Sequence, residues 1–529
     1  MSIEALPNEL LVIIFSHFRW KTLRDRLSLV NRRWYQVIGM AQFTSKATLH
    51  LSKSVFHRQQ ESKHYEDVCI PLEVLCASSR VYSNFSCSMH SMDYRVMSGA
   101  FGTVLEYCHQ RWNINGLRIT SRYGQFILFM QHHRHILNDV VKADITVKEF
   151  PPEEGCFEAE APLDTNFVFT MEKVQKLNLE YGPWSINFQS PPCFLSLLTP
   201  NLECLNIRRC VMRNNVRLTF YDCTKLRSVM IFSRKPLSSR IVLDPVELES
   251  ILPQATEITR LKLINCFVAT TFSAMFGNLN TIVLAYVTIV PTDDPLECSN
   301  ITKLVLHSLI LRKPLKLRTP QLQTLICDSG VLKGLHLQDA SKADKLVIDW
   351  SFPRSTHYAL DTEHPLGLSS FRRLHLKPWQ YRGGAVICWL WPYLGGISEI
   401  KFQGEFNEMH FNRLRELWEY TPRLISLRLQ GMTIPGNLNF LPVSVQNIFI
   451  KDCSAEGSSI QFPPGVERVQ VLKLWKQTED ADDGAGMCLL PPNRYFPLQS
   501  KTLRMQQNGK TVARMVYSTP HCHMLDDDD

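Results

Sequence analysis

The sequence predicts an α/β chain in which an N-terminal three-helix unit precedes a long, curved solenoid with a parallel concave sheet. Two observations predict this class. Apolar residues recur at helical spacing between Ile3 and Ile38, and from Val174 onward a short aliphatic pattern repeats thirteen times. The chain has 529 residues, 45% of them apolar and 20% charged, which is the composition of a folded protein with several domains or one long repeat array.

Residues 1–40 read as three short helices that share one apolar face. Pro7 suits a first helical turn, where its missing N–H has no intrahelical partner, and Asn31 can cap the third helix. The apolar positions of the unit are Leu10, Leu11, Ile14, Phe15, Phe18, Leu23, Leu27, Val30, Trp34, Val37 and Ile38. Forty residues are few for an independent core, so we expect this unit to leave apolar surface open for a partner or for the rest of the chain.

The same residues resemble an F-box. That family's pattern is a Leu-Pro pair, an acidic residue, aliphatics, an Ile-Phe pair, a Leu and a closing Val-x-x-x-Trp. Asn31 stands where the family usually has Cys, and residues 19–22 replace the usual Pro-x-x-Asp loop. The resemblance implies docking on the Skp-type adaptor of a cullin-based ubiquitin ligase. The residues that match and would make this contact are Leu6, Pro7, Leu10, Leu11, Ile14, Phe15, Leu23, Leu27, Val30 and Trp34.

Residues 41–165 are expected to hold the first, irregular repeats of the solenoid. Met97–Arg111 and Phe126–Val140 have helical periodicity, and each precedes a strand-like run, Gly116–Ile119 and Asp144–Val147. A further strand is expected within Tyr82–Cys87.

Residues 166–475 carry the repeat, in which the pattern L-x-x-L-x-L occurs thirteen times. Each copy predicts one short strand with two inward aliphatics, and no copy can bury its apolar face alone. The pattern and its spacing resemble leucine-rich repeats. Cys210, Cys266 and Cys453 follow the second aliphatic by three residues, where that family places Asn or Cys to bond turning backbone. A metal site at these cysteines is the alternative.

The spacing between copies varies, and this predicts what lies outside the sheet. Long steps leave room for helices, as at Val246–Leu252 and Phe411–Trp418, whereas the short steps between Ile282 and Leu346 leave room only for turns. Residues 476–529 lose the repeat and end in Asp526–Asp529. We expect a partly disordered C-terminal extension with an acidic, solvated tail.

Catalytic and cofactor motifs are missing from the sequence. It contains no phosphate-binding loop, nucleophile elbow, H-E-x-x-H or dinucleotide fingerprint, and its 16 cysteines include no C-x-x-C pair. Neighbouring His132 and His133 do not share a helix face, and His521 and His523 flank a terminal Cys. We therefore expect no cofactor, no metal and no enzymatic activity of the chain itself.

No run of residues is long and apolar enough to span a bilayer, and no signal-like segment opens the sequence. We expect a soluble protein of the cytoplasm or nucleus with no membrane partner. The formal charge of +8 mildly favours an acidic partner.

The positions that flank the inward aliphatics should line the concave face. About a third of them are Lys or Arg, against 58 of 529 residues in the chain. The cations are densest at Arg373, Lys377, Lys401, Arg428 and Lys451. An apolar row of Val283, Val305, Ile326 and Val347 precedes them. Either these lysines and arginines merely solvate a sheet, or the face binds an acidic or phosphorylated protein segment beside an apolar anchor.

The two resemblances together imply the substrate-receptor subunit of a Skp–cullin–F-box ubiquitin ligase, with leucine-rich repeats that hold the target for ubiquitination and degradation. Such a receptor acts by proximity and needs no nucleophile. Two alternatives stay open. One is a repeat scaffold outside ubiquitin transfer. The other is a nucleic-acid-binding solenoid, which would interleave aromatic residues with its cations. The aromatic residues at the concave positions are only Phe232 and Phe449.

Overall fold

A computed structural model of the chain shows two compact units, Met1–Phe267 and Val268–Asp529. The described residues are 6–18, 22–23, 26–40, 43, 48–51, 82–88, 94–121, 123–149, 168–183, 193–209, 216–233, 255–268, 278–289, 294–311, 313–349, 367–377, 390, 392–404, 415–455, 459–472, 474–476, 494–497, 502–508 and 510–515.

The first unit begins with short helices. A 3₁₀ turn at Leu27–Leu29 separates the first two, and the side chain of Asn31 caps the second by accepting a 2.8 Å hydrogen bond from Trp34 N. The expected helix Met97–Arg111 is confirmed, whereas the expected helix Phe126–Val140 is two helices that break at His133. The helices of this unit are α1 (Asn8–Ser16), α2 (Arg32–Ile38), α3 (Tyr94–Trp112), α4 (Tyr123–His132) and α5 (Arg134–Asp139).

Twelve strands accompany these helices, and the last lies at the boundary between the units. They are β1 (Thr48–Leu51), β2 (Asn84–Ser88), β3 (Gly116–Ser121), β4 (Lys142–Glu149), β5 (Val168–Thr170), β6 (Lys176–Pro183), β7 (Cys193–Leu198), β8 (Cys204–Arg209), β9 (Val216–Tyr221), β10 (Ser228–Ser233), β11 (Arg260–Ile264) and β12 (Phe267–Val268).

Eight of these strands form one long parallel sheet, in the order β1, β2, β3, β4, β6, β8, β10 and β11. A smaller parallel sheet, β5–β7–β9, runs beside it. The register places equivalent repeat positions side by side, with Leu205 between Leu177 and Val229. The predicted stacking of one strand per repeat is confirmed, and it begins before the repeat pattern is visible in the sequence.

The second unit continues the same construction. Its helices are α6 (Ser329–Lys333) and α7 (Arg415–Tyr420), and a 3₁₀ turn spans Leu368–Ser370. Its strands are β13 (Thr281–Ala285), β14 (Thr288–Ile289), β15 (Leu296–Glu297), β16 (Lys303–His307), β17 (Ile310–Leu311), β18 (Leu315–Arg318), β19 (Thr324–Cys327), β20 (Leu335–Gln338), β21 (Lys345–Ile348), β22 (Arg373–Leu376), β23 (Glu399–Gln403), β24 (Ser426–Gln430), β25 (Thr433–Ile434), β26 (Asn447–Lys451), β27 (Cys453–Ala455), β28 (Ser459–Gln461), β29 (Arg468–Val471), β30 (Leu474–Lys476), β31 (Arg494–Pro497), β32 (Thr502–Asn508) and β33 (Lys510–Met515).

Nine strands of this unit form a second long parallel sheet, in the order β13, β16, β19, β21, β22, β23, β24, β26 and β29. The chain is therefore a parallel β-solenoid, as predicted. Parallel pairing ends at β31, which runs antiparallel to β29, and β28, β32 and β33 also pair antiparallel. The segment expected to be partly disordered thus contributes three strands.

The core consists of the repeat aliphatics, since both inward positions of all thirteen copies are buried. Leu205 and Leu427 are 0% exposed and Leu261 is 1% exposed, as the pattern requires. After β11 and β26 the chain turns a corner through Asn265 and Asp452, which have positive φ of 56° and 51°.

The short steps in the middle of the repeat are closed by small strands. β14 pairs with β17, and β15, β18 and β20 form a three-stranded parallel sheet, with the five-residue α6 beside them. Longer steps accommodate α7, which overlaps the helix expected at Phe411–Trp418. The helix expected at Val246–Leu252 lies outside the described residues.

Candidate interaction surfaces

The N-terminal helices form a small core of their own. Phe15 packs edge-on against Trp34 at a centroid distance of 5.1 Å and against Phe43 at 6.4 Å. Arg33 ties α2 back to the start of α1, since its Nε donates to Asn8 Oδ1 at 2.8 Å. The buried cluster comprises Leu11, Phe15, Leu23, Trp34, Val37, Ile38 and Phe43. Leu6, Val12, Ile14 and Leu27 are partly buried and pack against this cluster.

The ten residues predicted to bind an adaptor divide by burial. Leu11, Phe15, Leu23 and Trp34 belong to the core, whereas Leu6, Ile14 and Leu27 are half-buried. The exposed members are Pro7, Leu10 and Val30. The apolar stripe of α1 is thus shared between the inside and the outside of the unit.

Other exposed apolar side chains of this unit were not singled out as contacts from the sequence. Leu29 is 78% exposed and Ile13 is 56% exposed, the largest values in the segment. Of the twelve exposed large hydrophobic residues in the described part of the chain, seven lie between residues 10 and 40. These seven are Leu10, Ile13, Phe18, Leu29, Val30, Tyr35 and Met40. Such a concentration on one small element is typical of a protein-binding surface.

The second candidate surface is the open face of the long sheet of the second unit, meaning the positions before, between and after the two buried aliphatics of each strand. Its central row begins with the predicted apolar residues in direct register, Val283, Val305, Ile326 and Val347. Val347 is only 2% exposed and Val305 is 8% exposed, whereas Val283 and Ile326 are half-buried. The row therefore offers two accessible aliphatics rather than four.

Three of the five predicted cations on this face already have an acidic partner. Arg373 pairs with Asp344, Lys377 Nζ lies 2.8 Å from Asp349 Oδ2, and Arg428 Nε lies 2.7 Å from Glu399 Oε1. The Arg428 guanidinium also lies 5.7 Å from the ring centre of Phe449. Each internal pair reduces the charge that these side chains present to a ligand.

Lys401 and Lys451 differ, because neither forms an ion pair within the part of the chain that the structure describes. The same holds for Lys345, a further cation of this face that was not part of the predicted site. Burial lowers the pKa of the Lys401 ammonium, and the nearby cations Lys345, Arg428 and Lys451 lower it further. Cations crowded in this way favour the approach of an anion.

A buried histidine sits beside these lysines. His375 is 7% exposed and its Nε2 lies 2.9 Å from Gln403 Oε1. Burial lowers the pKa of His375 to about 4, and the charges of Lys401 and Lys345 add to the effect. The imidazole is therefore neutral at physiological pH, and nothing in the repeat pattern marks it as buried.

The long sheet of the first unit carries a polar ladder at the equivalent central positions. Arg118 donates to Asp144 Oδ2 at 2.9 Å, Asn178 donates to Asp144, and Asn206 Nδ2 donates to Asn178 Oδ1 at 2.5 Å. The parallel register aligns these four residues on adjacent strands. Because its polar groups bond to one another, the ladder has fewer hydrogen-bonding groups left for a ligand than the lysine-rich face has.

The cysteines behave as small buried hydrophobes. All eight described thiols are free, and seven are buried. Cys266 Sγ lies 3.2 Å from the Ile264 carbonyl oxygen and Cys453 Sγ lies 3.2 Å from that of Lys451, as expected where the chain turns. Burial raises the pKa of Cys223 and Cys453 to about 11 and that of Cys298 to about 12. Cys210 lies outside the described residues.

Among the described residues, no group of three or more His, Cys, Asp or Glu side chains has the geometry of a metal site, and no described helix is long and apolar enough to cross a membrane.

No protein-family model matches the chain, and no curated protein matches it. What the chain does must therefore be argued from its own surfaces.

Proposed function

We propose that the chain is the non-catalytic substrate receptor of a Skp–cullin–F-box ubiquitin ligase. In this proposal α1, the turn at Leu27–Leu29 and α2 are an F-box that binds a Skp-type adaptor, and the solenoid is a set of leucine-rich repeats that binds the target. The observation that carries the proposal is the concentration of exposed apolar side chains between residues 10 and 40.

That concentration coincides with the F-box-like motif. A three-helix cap whose only task was to cover the end of a solenoid would direct its apolar side chains inward. Here the segment completes a core of its own and still exposes Leu10, Leu29 and Val30. Burying a side chain of this size on a partner contributes about 1.5–3 kcal/mol, so a few of them suffice for a specific contact.

The target-binding part rests on Lys345, Lys401 and Lys451, which extend across the open face of β21, β23 and β26. An acidic or phosphorylated segment would neutralise cations that form no ion pair among the described residues, and Val283 and Ile326 would contact an apolar residue next to it. The receptor would raise the local concentration of its target near a ubiquitin-loaded enzyme.

The test is a pull-down of a purified Skp-type adaptor by the full-length chain. Leu10→Asp combined with Val30→Asp places two charges on the exposed apolar surface without touching the buried cluster, and adaptor binding should be lost. Val443→Asp is the matched control, because Val443 is 75% exposed but lies in the second unit. Retention of the adaptor by the folded double variant would refute the F-box assignment.

Recovery of a cullin with the wild-type chain separates a ligase subunit from a scaffold. Adaptor binding without any cullin in the complex would favour the scaffold outside ubiquitin transfer.

A further inference from the structure

A groove of about 550 Å³ opens in the second unit, where the chain enters strands β22, β23, β24 and β26. Its floor is formed by Arg372, Ser398, Ile425 and Gln446, and Arg423 and Ser444 stand beside it. These residues precede the strands and do not belong to the open face, so the groove is separate from the target surface proposed above.

Consecutive turns of the solenoid build the floor. Ser398 N donates to Arg372 O at 2.8 Å, Ile425 N donates to Ser398 O at 2.8 Å, and Gln446 N donates to Ile425 O at 2.9 Å. The backbone N–H groups of Ser398, Ile425 and Gln446 are thus satisfied along the row. A ligand in the groove must be recognised mainly by side chains.

The wall at Gly396 is bare for a steric reason. A Cβ at this position would lie 2.2 Å from the carbonyl oxygen of Ser369, closer than packed atoms approach. A side chain is excluded there, and this helps to keep the groove open.

Two cations in the groove lack partners. Arg372 and Arg423 form no ion pair within the described residues, whereas neighbouring Arg373 and Arg428 each pair with a carboxylate. Arginine donors of this kind suit carboxylate or phosphate oxygens, which they can bind in a bidentate manner.

The groove also holds an unsatisfied hydroxyl and an apolar residue. Ser444 Oγ is buried and has no hydrogen-bond partner among the described residues, which is uncommon unless a ligand or water supplies one. Ile425 is 44% exposed. Among the described residues, the groove therefore combines two cations without an ion-pair partner, one buried hydroxyl without a hydrogen-bond partner and one accessible aliphatic side chain.

We propose that this groove binds a peptide segment of a partner protein in the polyproline II conformation, with anionic side chains at positions i and i+3. The turns that hold Arg372 and Arg423 are two strand spacings apart, about 10 Å. Polyproline II has three residues per turn and rises about 3.1 Å per residue, so side chains at i and i+3 lie on the same face about 9 Å apart. The intervening residues would lie over Ile425. Phosphoserine and glutamate share the required chemistry, and the experiment distinguishes them.

The test is fluorescence anisotropy on the full-length chain with three labelled peptides: Gly-Glu-Val-Leu-Glu-Gly, the same peptide with phosphoserine at both Glu positions, and the same peptide with Gln at both. We expect at least one anionic peptide to bind at least about tenfold more tightly than the Gln peptide. The stronger of the two anionic peptides identifies the preferred anion.

Arg372→Gln combined with Arg423→Gln should weaken binding of the anionic peptide by about tenfold or more. Ile425→Glu should abolish binding, because the new carboxylate repels the anionic peptide. Arg260→Gln is the matched control, since Arg260 is exposed on β11 in the other unit, and it should change the affinity less than twofold. All four substituted positions are exposed, so thermal melts should confirm folding. Equal affinity for the Gln peptide, no loss in the double arginine variant, or no binding of either anionic peptide at about 1 mM would each overturn the proposal.

Discussion

Lys377 and Asp349, which directly follow the adjacent strands β22 and β21, form an ion pair at 2.8 Å, and the Asp349 side chain is only 8% exposed. The lysine thus neutralises a carboxylate that the fold has removed from most of the water. This pair makes Lys377 a structural cation, although the sequence marked it as a ligand-binding one.

Replacing Lys377 by Ala should lower the free energy of unfolding by about 1–3 kcal/mol, because a buried carboxylate loses a charged partner. Lys303→Ala is the matched control, an exposed lysine of the same sheet face, and should change stability by about 0.5 kcal/mol or less. Urea denaturation followed by circular dichroism measures both variants. Equal midpoints would show that the ion pair does not stabilise the fold.

His375 should make stability depend on pH. Its pKa is about 4 in the folded chain, mainly because the imidazole is buried, and 6.5 is the ordinary value. Below pH 6.5 the unfolded chain therefore takes up a proton that the folded chain refuses, so stability falls from pH 6.5 down to about 4 and is fully present above pH 6.5.

Between pH 6.5 and about 4, protonation of this histidine in the unfolded chain should lower the free energy of unfolding by about 3 kcal/mol. His375→Gln should remove it, which makes the variant less pH-sensitive than the wild type in urea denaturation at pH 7.5 and 4.5. Burial also lowers the pKa of His307. This histidine is present in both proteins, so its contribution to the pH dependence cancels in the comparison. Parallel pH profiles would contradict the assignment.

The inward leucines should be the most sensitive positions of the solenoid. Leu427→Ala leaves a cavity at a side chain that is 0% exposed and should destabilise the second unit by about 2–5 kcal/mol. Leu10→Ala removes the same atoms from a side chain that is 44% exposed and should have a much smaller effect. A similar loss in both variants would mean that the two side chains are equally buried in solution.

The target surface is tested by Lys345→Glu, Lys401→Glu and Lys451→Glu together. Because none of the three forms an ion pair with a described acidic residue, charge reversal should leave the fold intact and abolish capture of an acidic or phosphorylated target. Adaptor binding should persist, since the helical unit is unchanged. Affinity purification with quantitative mass spectrometry compares the proteins retained by the variant and by the wild type.

The control for that experiment is Lys176→Glu, Arg260→Glu and Lys262→Glu, the same change in charge on the long sheet of the first unit. Charge reversal at Arg373 or Arg428 would be a poorer test, because it also breaks their pairs with Asp344 and Glu399. If the lysine variant keeps every protein that the wild type retains, these lysines only solvate the sheet.

The solenoid could be predicted from the sequence because alternation of period two directly encodes which side chains face the core. Aligning the repeats also places Lys377 next to Asp349, so that ion pair was available to sequence reasoning. The pairs Arg373–Asp344 and Arg428–Glu399 are diagonal between neighbouring turns and depend on rotamers that no pattern encodes.

The helical unit shows a second limit of sequence reasoning. Helical spacing put Leu10, Leu11, Ile14, Phe15 and Phe18 on one stripe, but the structure buries Leu11 and Phe15 and exposes Leu10 and Phe18. The side of α1 that is buried depends on how α2 and Phe43 pack against it, and helical spacing alone does not encode this tertiary packing. The groove at Arg372 and Arg423 was likewise missed, because it is formed by loop residues from separate turns.

The buried thiols of this solenoid can report how often each turn opens. Alkylating reagents attack the thiolate, and burial holds Cys223, Cys298 and Cys453 in the protonated form. Each reacts only when its own turn opens, so the alkylation rate at each cysteine, read by peptide mass spectrometry, measures how often that turn opens. The opening of separate turns can be compared along the chain without introducing a single foreign label.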